Sequence, residues 1–222
     1  MTVLCFLGPT LPVEEGRPHL DAIFLPPVSQ GDLLAAVLQY RPVAVGIVDG
    51  YFDQVPAVWH KEILWAMAQG VHVFGSSSMG ALRAAELHPF GMVGVGRIFE
   101  QFRDGLLEDD DEVAVVHAPA ADGFRALSEA MVNIRAAIPE EPELIDWAKS
   151  LYYPDRTWGA LEARAGRKLP RRNLKREDAV EMLAVMARFL ASPPPPLTVN
   201  WEFHATLWWE TLYRSKTSPP AD

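Results

Sequence analysis

Short apolar runs rich in Val and Ile alternate with helical patterns through the first half of the chain, and this alternation limits the possible folds most. Four such runs are bounded by Gly or Pro and predict buried strands at residues 2–7, 22–27, 43–50 and 71–75. The intervening patterns predict helices at residues 31–40, 56–70, 78–88 and 96–104. A further strand is predicted at residues 112–117. Because strands that alternate with crossover helices form parallel sheets, we expect an α/β fold: a mostly parallel sheet flanked by helices, with a helical C-terminal part.

The second half of the chain has a different character. From Leu127 onward the composition favours helices, and a run of prolines interrupts the chain at residues 193–196. We therefore divide the chain into an α/β core, a helical C-terminal part and a proline break followed by a Trp-rich docking tail, at residues 1–125, 126–192 and 193–222. The tail's tryptophans pack on the chain's own core or form a partner surface; they are Trp201, Trp208 and Trp209.

Composition excludes several classes of function. The net charge of −9 argues against an electrostatic interaction with nucleic acid or an anionic membrane, and leaves room for a partner with a basic patch. Cys5 is the only cysteine, so neither an internal disulfide nor a CxxC metal site can form, and its apolar surroundings predict a buried strand residue. No apolar run approaches the ~18 residues of a membrane span, and no secretory signal is recognisable. We expect a cytoplasmic protein.

Three consecutive serines, Ser76, Ser77 and Ser78, follow the predicted strand 71–75 and open the next helix, between Gly75 and Gly80. We call this segment the serine turn. A turn that leaves a strand and opens a helix exposes backbone N–H groups at the positive end of the helix dipole. The turn therefore caps the helix, binds an anion or presents a nucleophile beside an oxyanion site. It is not a P-loop, because no lysine follows Gly80.

A serine nucleophile needs a base, and Lys61 is the most informative candidate. His60, His72, His88 and His117 lack a helpful partner pattern. Lys61 has only apolar neighbours at helical spacing, and no other lysine occurs before Lys149. Such a lysine either extends past the core to water or is desolvated, with a lowered pKa that lets it act as a base. Because its helix leads into the strand before the serine turn, we predict a catalytic Ser–Lys pair of Ser78 and Lys61.

Other polar residues near the same sheet edge each have a structural and a functional interpretation. Asp49 closes a strand, either as a turn residue or as a carboxylate that orients Lys61 or a bound group. Arg83 and Glu86 form a surface pair or belong to the site. The predicted binding residues are Asp49, Gly50, Gly75, Ser77, Met79, Gly80, Arg83, Glu86 and His117. The acidic run 108–112 is expected to be a solvated turn rather than a metal site, and we predict neither a metal nor a cofactor.

The stretch from IVDGYFDQVPAVWHKEILWAMAQG through VHVFGSSSMGALRAAELHPFGMVGVGRIFEQFRDG to LLEDDDEVAVVHAP closely resembles the TfuA-like family. GPT at residues 8–10, LPPVSQGDL at residues 25–33 and LSEAMVNIR at residues 127–135 also fit, so the resemblance covers about residues 2–140. TfuA-like proteins accompany YcaO enzymes, which use ATP to activate a peptide amide so that sulfur replaces its oxygen.

The resemblance implies that this chain supplies the sulfur. It would hydrolyse the C-terminal thiocarboxylate of a ThiS-like sulfur-carrier protein, release sulfide and help YcaO engage its substrate. The family is associated with a Ser–Lys pair: the serine before Met-Gly matches Ser78, and the lysine of the KEI word matches Lys61. The alternative is a non-catalytic adaptor that binds YcaO and the carrier. Contact with the precursor peptide and self-association are further partner hypotheses.

Overall fold

The computed structural model describes residues 1–52 and 55–217. Within them, strands and helices alternate from the N-terminus, in the order β1 Val3–Phe6, α1 Val13–Gly16, β2 Ile23–Leu25, α2 Asp32–Tyr40, β3 Ala44–Ile47, α3 His60–Ala68, β4 His72–Ser76, α4 Met79–Leu87, β5 Val93–Val95 and α5 Arg97–Arg103. Helices alone follow, at α6 Met131–Ala137, α7 Pro142–Ser150, α8 Trp158–Ala165, α9 Leu174–Leu190 and α10 Leu207–Thr217. The predicted α/β class with a helical C-terminal part is confirmed.

The described strands form one sheet in the order β2-β1-β3-β4-β5, and every neighbouring pair is parallel. The parallel register places Leu4 beside Ile23 and Ala44 beside His72. Because all strands run in one direction, the loops that follow β1, β3 and β4 meet at the same edge. The strand order reverses between β1 and β3, which is where open α/β sheets usually bind ligands.

Helices cover the sheet on both faces because β1 is apolar on both of its sides. Leu4 and Phe6 face a core cluster built mainly by α2, α3 and α4. Cys5 faces the opposite cluster, where Met182 and Met186 of α9 pack. Alternation of side chains along a strand requires this division. The continuous apolar run at residues 2–7 is therefore the signature of a strand buried on both faces.

The predicted strand at residues 112–117 is wrong. A short 3-10 turn ends at Glu112, and the following residues form an irregular segment with one antiparallel bridge, between His117 and Ala126. Val113 and Ala114 are buried and Val115 and Val116 are half-buried, without pairing as a strand. Length and apolarity alone cannot separate such a segment from a strand.

The structure differs from the sequence prediction at two further places, strand β5 and the start of helix α3. Strand β5 was not predicted, because its three residues, Val-Gly-Val, lie in a glycine-rich stretch that reads as a break. Helix α3 begins at His60 rather than at residue 56, because the preceding residues bond to the loop before α2: Ala57 bridges Ser29, and Gln30 donates to the Pro56 carbonyl. Residues 56 and 57, predicted as the first helical turn, therefore form strand-like contacts instead.

The acidic run at residues 108–112 is solvated only in part: residues 108–110 are exposed, as expected, whereas Asp111 is half-buried and Glu112 is buried. Lys149 of α7 forms ion pairs with Asp109, Asp111 and Glu112. Asp111 also binds the buried guanidinium of Arg156, and Glu112 binds Arg135 of α6. The run therefore joins the α/β core to the helical part through paired charges. No long-range contact of this kind is visible in the sequence.

Residues of the Trp-rich tail pack on the chain's own core, and we call residues 195–217 the C-terminal arm. The Leu197 N–H donates to the Gly70 carbonyl, and the Trp201 indole donates to the Phe90 carbonyl. Trp209 is buried, with its ring 5.7 Å from that of Trp65. Trp208 is 76% exposed and does not share this role. None of the helices in the described part of the chain is long and apolar enough to cross a membrane.

Replacing Trp209 by alanine is expected to lower the free energy of unfolding by roughly 3–5 kcal/mol, because it removes a large buried ring that packs on α3. Trp208→Ala is the matched control and should change stability by less than about 0.5 kcal/mol, since that ring is exposed. Urea unfolding followed by circular dichroism measures both values. Equal effects of the two substitutions would show that the arm does not stabilise the fold.

Candidate functional site

The serine turn contains an unusual backbone conformation. Ser77 has φ of +70°, in the left-handed region, and the Ser78 N–H donates to the Ser76 carbonyl at 2.8 Å. This is a γ-turn with positive φ, a rare and strained form. Strain of this kind costs about 1–3 kcal/mol and is concentrated at functional sites. The geometry resembles the strained strand-to-helix turn that exposes a nucleophilic serine in other α/β proteins.

Gly75 and Gly80 make the turn possible by letting α4 lie directly on the sheet. A Cβ atom on Gly80 would lie 1.8 Å from the Ile47 carbonyl oxygen, and one on Gly75 would lie 2.2 Å from the Gly80 oxygen. Neither position can carry a side chain. The two glycines were predicted as binding residues, and their observed contacts are between backbone segments of the chain itself.

The three serine hydroxyls differ in their partners. Ser76 donates to the Asp178 carbonyl at 3.0 Å, and Ser77 donates to the Lys175 carbonyl at 2.7 Å. Across the described residues, the Ser78 hydroxyl takes part in no hydrogen bond, and its side chain does not cap α4. Simple helix capping therefore does not explain Ser78. Of the three serine hydroxyls, that of Ser78 is the one without a partner among the described residues.

Backbone donors beside Ser78 are also unused. The Gly80 N–H bonds to the Val48 carbonyl at 3.2 Å, whereas the N–H groups of Ser77 and Met79 have no acceptor anywhere in residues 1–52 and 55–217. All three serines are at most 2% exposed. Unpaired buried N–H groups are rare, and at a helix N-terminus they attract negative charge. They could stabilise an oxyanion formed at Ser78.

Asp49 lies at the switch point between β1 and β3, and backbone and side-chain donors fully engage it. Its carboxylate accepts from the Gly8 N–H at 2.9 Å, the Thr10 N–H at 3.1 Å and the Thr10 hydroxyl at 2.6 Å. These N–H groups, after β1, are those that a phosphate would need in a nucleotide site of this fold. The internal carboxylate thus occupies that position, which argues against phosphate binding there.

Lys61 has its contacts with the C-terminal arm. Its amine donates to the His204 carbonyl of the C-terminal arm at 2.6 Å and sits 5.0 Å from the centre of the Phe203 ring. In the part of the chain that the structure describes, no hydrogen bond joins Lys61 to Ser78. The described hydrogen bonds thus join Lys61 to the C-terminal arm, and the role of Lys61 as base stays a prediction.

A second lysine, missed in the sequence, lies at the turn. Lys175 of α9 is 3% exposed, its carbonyl holds the Ser77 hydroxyl, and its amine donates to the Val113 carbonyl at 2.7 Å. Burial lowers the pKa of this amine, while the charges of Asp49 and Glu129 oppose that shift. The sequence signal is only partial: Ala179, Met182 and Leu183 lie at helical spacing from Lys175 and are apolar, but Asp178 lies three positions after it. The criterion that singled out Lys61, apolar neighbours only, therefore does not select Lys175.

The remaining predicted residues lie around the edge of the site. Arg83 and Glu86 form the surface pair, joined by His60, whose Nε2 lies 2.7 Å from the Glu86 carboxylate. The Arg83 guanidinium also donates to the Val58 carbonyl. The centre of the His117 ring lies 5.7 Å from that of Tyr51, with the two ring planes tilted. Among the described residues these side chains make no hydrogen bond to the serine turn, and no group of three or more His, Cys, Asp or Glu could hold a metal.

The fold and the turn define a class of protein: an open parallel α/β sheet that carries a strained serine turn at its carboxyl edge. A family model described as TfuA-like protein matches residues 49–157, from Asp49 through the serine turn and the acidic run. The chain belongs to the TfuA-like family. A comparison with curated proteins gives no match. Lys175 and the C-terminal arm lie outside the matched residues.

Asp178 supports the turn and makes stability depend on pH. Its carboxylate accepts from the Ile98 N–H at 2.8 Å, and burial raises its pKa from 3.8 to about 6. Between these values the folded protein holds a proton that the unfolded chain releases, so stability falls as pH rises through this window.

Asp178→Asn carries no charge and should flatten this fall. Urea unfolding at pH 4 to 7 tests it, with exposed Asp122→Asn as control; parallel curves for wild type and Asp178→Asn would contradict the assignment.

Proposed function

We propose that this protein hydrolyses the C-terminal thiocarboxylate of a small sulfur-carrier protein and supplies the sulfide to a YcaO enzyme for peptide thioamidation. Membership of the TfuA-like family supports the context. One observation supports the chemistry: within residues 1–52 and 55–217, the Ser78 hydroxyl has no partner and lies in a strained turn, next to two N–H groups without acceptors. These are the parts that acyl transfer to a serine requires.

The proposed reaction proceeds in two steps. The Ser78 oxygen attacks the thiocarboxylate carbon, and the N–H groups of Ser77 and Met79 stabilise the oxyanion. The carbon–sulfur bond then breaks, the hydroxyl proton passes through a base to the leaving sulfur, and HS⁻ departs. An ester between the carrier and Ser78 remains. Water, deprotonated by the same base, hydrolyses this ester and regenerates both the serine and the carrier's carboxylate.

Lys175 is the better supported base. A lysine can accept a proton only when neutral, and burial lowers the pKa of the Lys175 amine towards that state. Its backbone is already bonded to the serine turn through Ser77. When substrate enters, the Lys175 amine would give up its hydrogen bond to the Val113 carbonyl and bond to the Ser78 hydroxyl instead. Lys61, by contrast, would first have to leave His204.

A second candidate function is that of an adaptor without catalysis. The observation in its favour is the near-complete burial of the serine turn, with Ser78 only 2% exposed. A turn closed in this way could hold a carrier terminus, or respond to one, without attacking it. In either function, the negative net charge of this chain would be complementary to a basic surface on YcaO.

Ser78→Ala should reduce sulfide release from a thiocarboxylated carrier by at least ~10³-fold, because the nucleophile is lost. Ser76→Ala and Ser77→Ala remove one structural hydrogen bond each and should reduce the rate by less than about tenfold. Carrier binding is measured alongside by calorimetry. Near-wild-type release by Ser78→Ala with intact binding would favour the adaptor.

Lys175→Met should abolish sulfide release to a similar extent, whereas Lys61→Met should retain at least about a tenth of the rate, which one exposed hydrogen bond could account for. In the wild type, kcat/KM should rise with pH as the Lys175 amine loses its proton, at a pH below the ordinary lysine pKa of 10.5. Circular dichroism confirms that each variant folds. The reverse result, with Lys61 essential and Lys175 dispensable, would leave the hydrolase standing and reassign its base.

A further inference from the structure

The C-terminal arm, residues 195–217, packs on α3 and follows a run of four prolines at residues 193–196, which we call the proline run. We propose that the arm exchanges between two copies of this chain, so that in a dimer each arm packs on α3 of the other copy. The surface of α3 under the arm is then an interface with a second copy. The proposal concerns association and does not depend on the chemistry of the serine turn.

The arm holds itself together by contacts among its own residues. The Phe203 ring lies edge-on to that of Trp209, with their centres 5.2 Å apart. At the start of α10 the Trp209 N–H donates to the Thr206 hydroxyl at 3.3 Å. Further along α10, the centre of the Tyr213 ring lies 6.1 Å from that of Trp209. These contacts are kept whichever copy the arm packs on, so the arm can move as one unit.

The contacts between the arm and the core extend along the whole of α3. At the C-terminal end of this helix, an arm N–H donates to the Gly70 carbonyl at 2.8 Å. At its start, the Lys61 amine donates to the His204 carbonyl at 2.6 Å. Between these points the ring of Trp65 packs on that of Trp209, which is buried. Because a second copy carries an identical arm, its arm fits this surface equally well, which is the basis of exchange between protomers.

The proline run favours exchange over closure on the same chain. Phe189, just before the run, and Pro195, within it, both contact His72: the two ring centres are 4.7 Å apart, and the Pro195 carbonyl oxygen lies 2.9 Å from Nε2. The chain therefore returns to its starting point through this run. Consecutive prolines instead favour an extended, semi-rigid conformation with a rise of about 3.1 Å per residue. Such a linker closes poorly on itself and passes the arm more readily to a neighbour.

The first test links the arm of one copy to the core of another. Gln30 of the core and Ser215 of α10 line one cleft of about 600 Å³, so a short bis-maleimide can join cysteines at these positions. Gln30→Cys and Ser215→Cys chains are refolded together at high concentration and cross-linked; Cys5 is buried and does not react. Exchange predicts a covalent species of two chains. Gln30→Cys mixed with Lys168→Cys, an exposed position outside the arm, is the control and should give none.

The second test changes the linker. Pro194→Gly/Pro195→Gly lets the arm close on its own chain and should raise the Kd of the dimer roughly tenfold, since a flexible linker removes the preference for an extended path. Pro119→Gly/Pro170→Gly replaces two exposed prolines elsewhere and should leave the Kd unchanged. Light scattering after size-exclusion chromatography, at increasing protein concentration, measures both values.

The remaining outcomes overturn the proposal. One is a chain that stays monomeric at every concentration, with a Gln30→Cys/Ser215→Cys double variant cross-linked only within single chains. Another is a dimer that gives no cross-link between the Gln30→Cys and Ser215→Cys chains, because such a dimer uses a different surface. Equal dimer affinities of the wild type and the Pro194→Gly/Pro195→Gly variant would overturn the role of the proline run.

Discussion

The direct packing of α4 on the ends of β3 and β4 is the constraint on which the carboxyl edge depends. Only two residues separate β4 from α4, so the start of the helix lies against the ends of the strands. Glycine is required at positions 75 and 80 because a Cβ atom at either would overlap with neighbouring backbone. Ser77 takes the left-handed conformation that so tight a turn requires. The same turn leaves two N–H groups without acceptors in the part of the chain that the structure describes. Backbone geometry thus creates both the strain and the donors.

Helix α9 completes the site from outside the matched family segment. Its carbonyls at Lys175 and Asp178 accept the hydroxyls of Ser77 and Ser76, so two of the three serines hold the turn to the helix. Its lysine side chain reaches the segment that follows the acidic run. The helical C-terminal part is therefore a structural component of the serine turn, and the division into a core and an appended helical part describes the sequence better than it describes the site.

Sequence patterns predicted the elements whose signals are local. The runs at residues 2–7 and 71–75 are mostly apolar because their strands are buried on both faces along most of their length, and this pattern also predicts the parallel sheet. Gly75 and the serines after it marked the turn, since glycine and serine at the end of a strand are typical of a helix start. The pattern failed at residues 112–117, where burial against distant elements imitates a strand, and at β5, where glycines conceal one.

The sequence by itself determined the α/β class and the position of the serine turn, because both follow from hydrophobic periodicity. It also placed Asp49 at the same edge of the sheet as the serine turn, because parallel strands share one direction. Only the tertiary structure decided which lysine meets the turn. The neighbours of Lys61 at helical spacing are all apolar, whereas Asp178 lies three positions after Lys175, so the local pattern favoured Lys61. The C-terminal arm takes the Lys61 amine, whereas the packing of α9 across the sheet buries Lys175 beside the serines. Contacts between residues about one hundred positions apart carry no local signature in the chain.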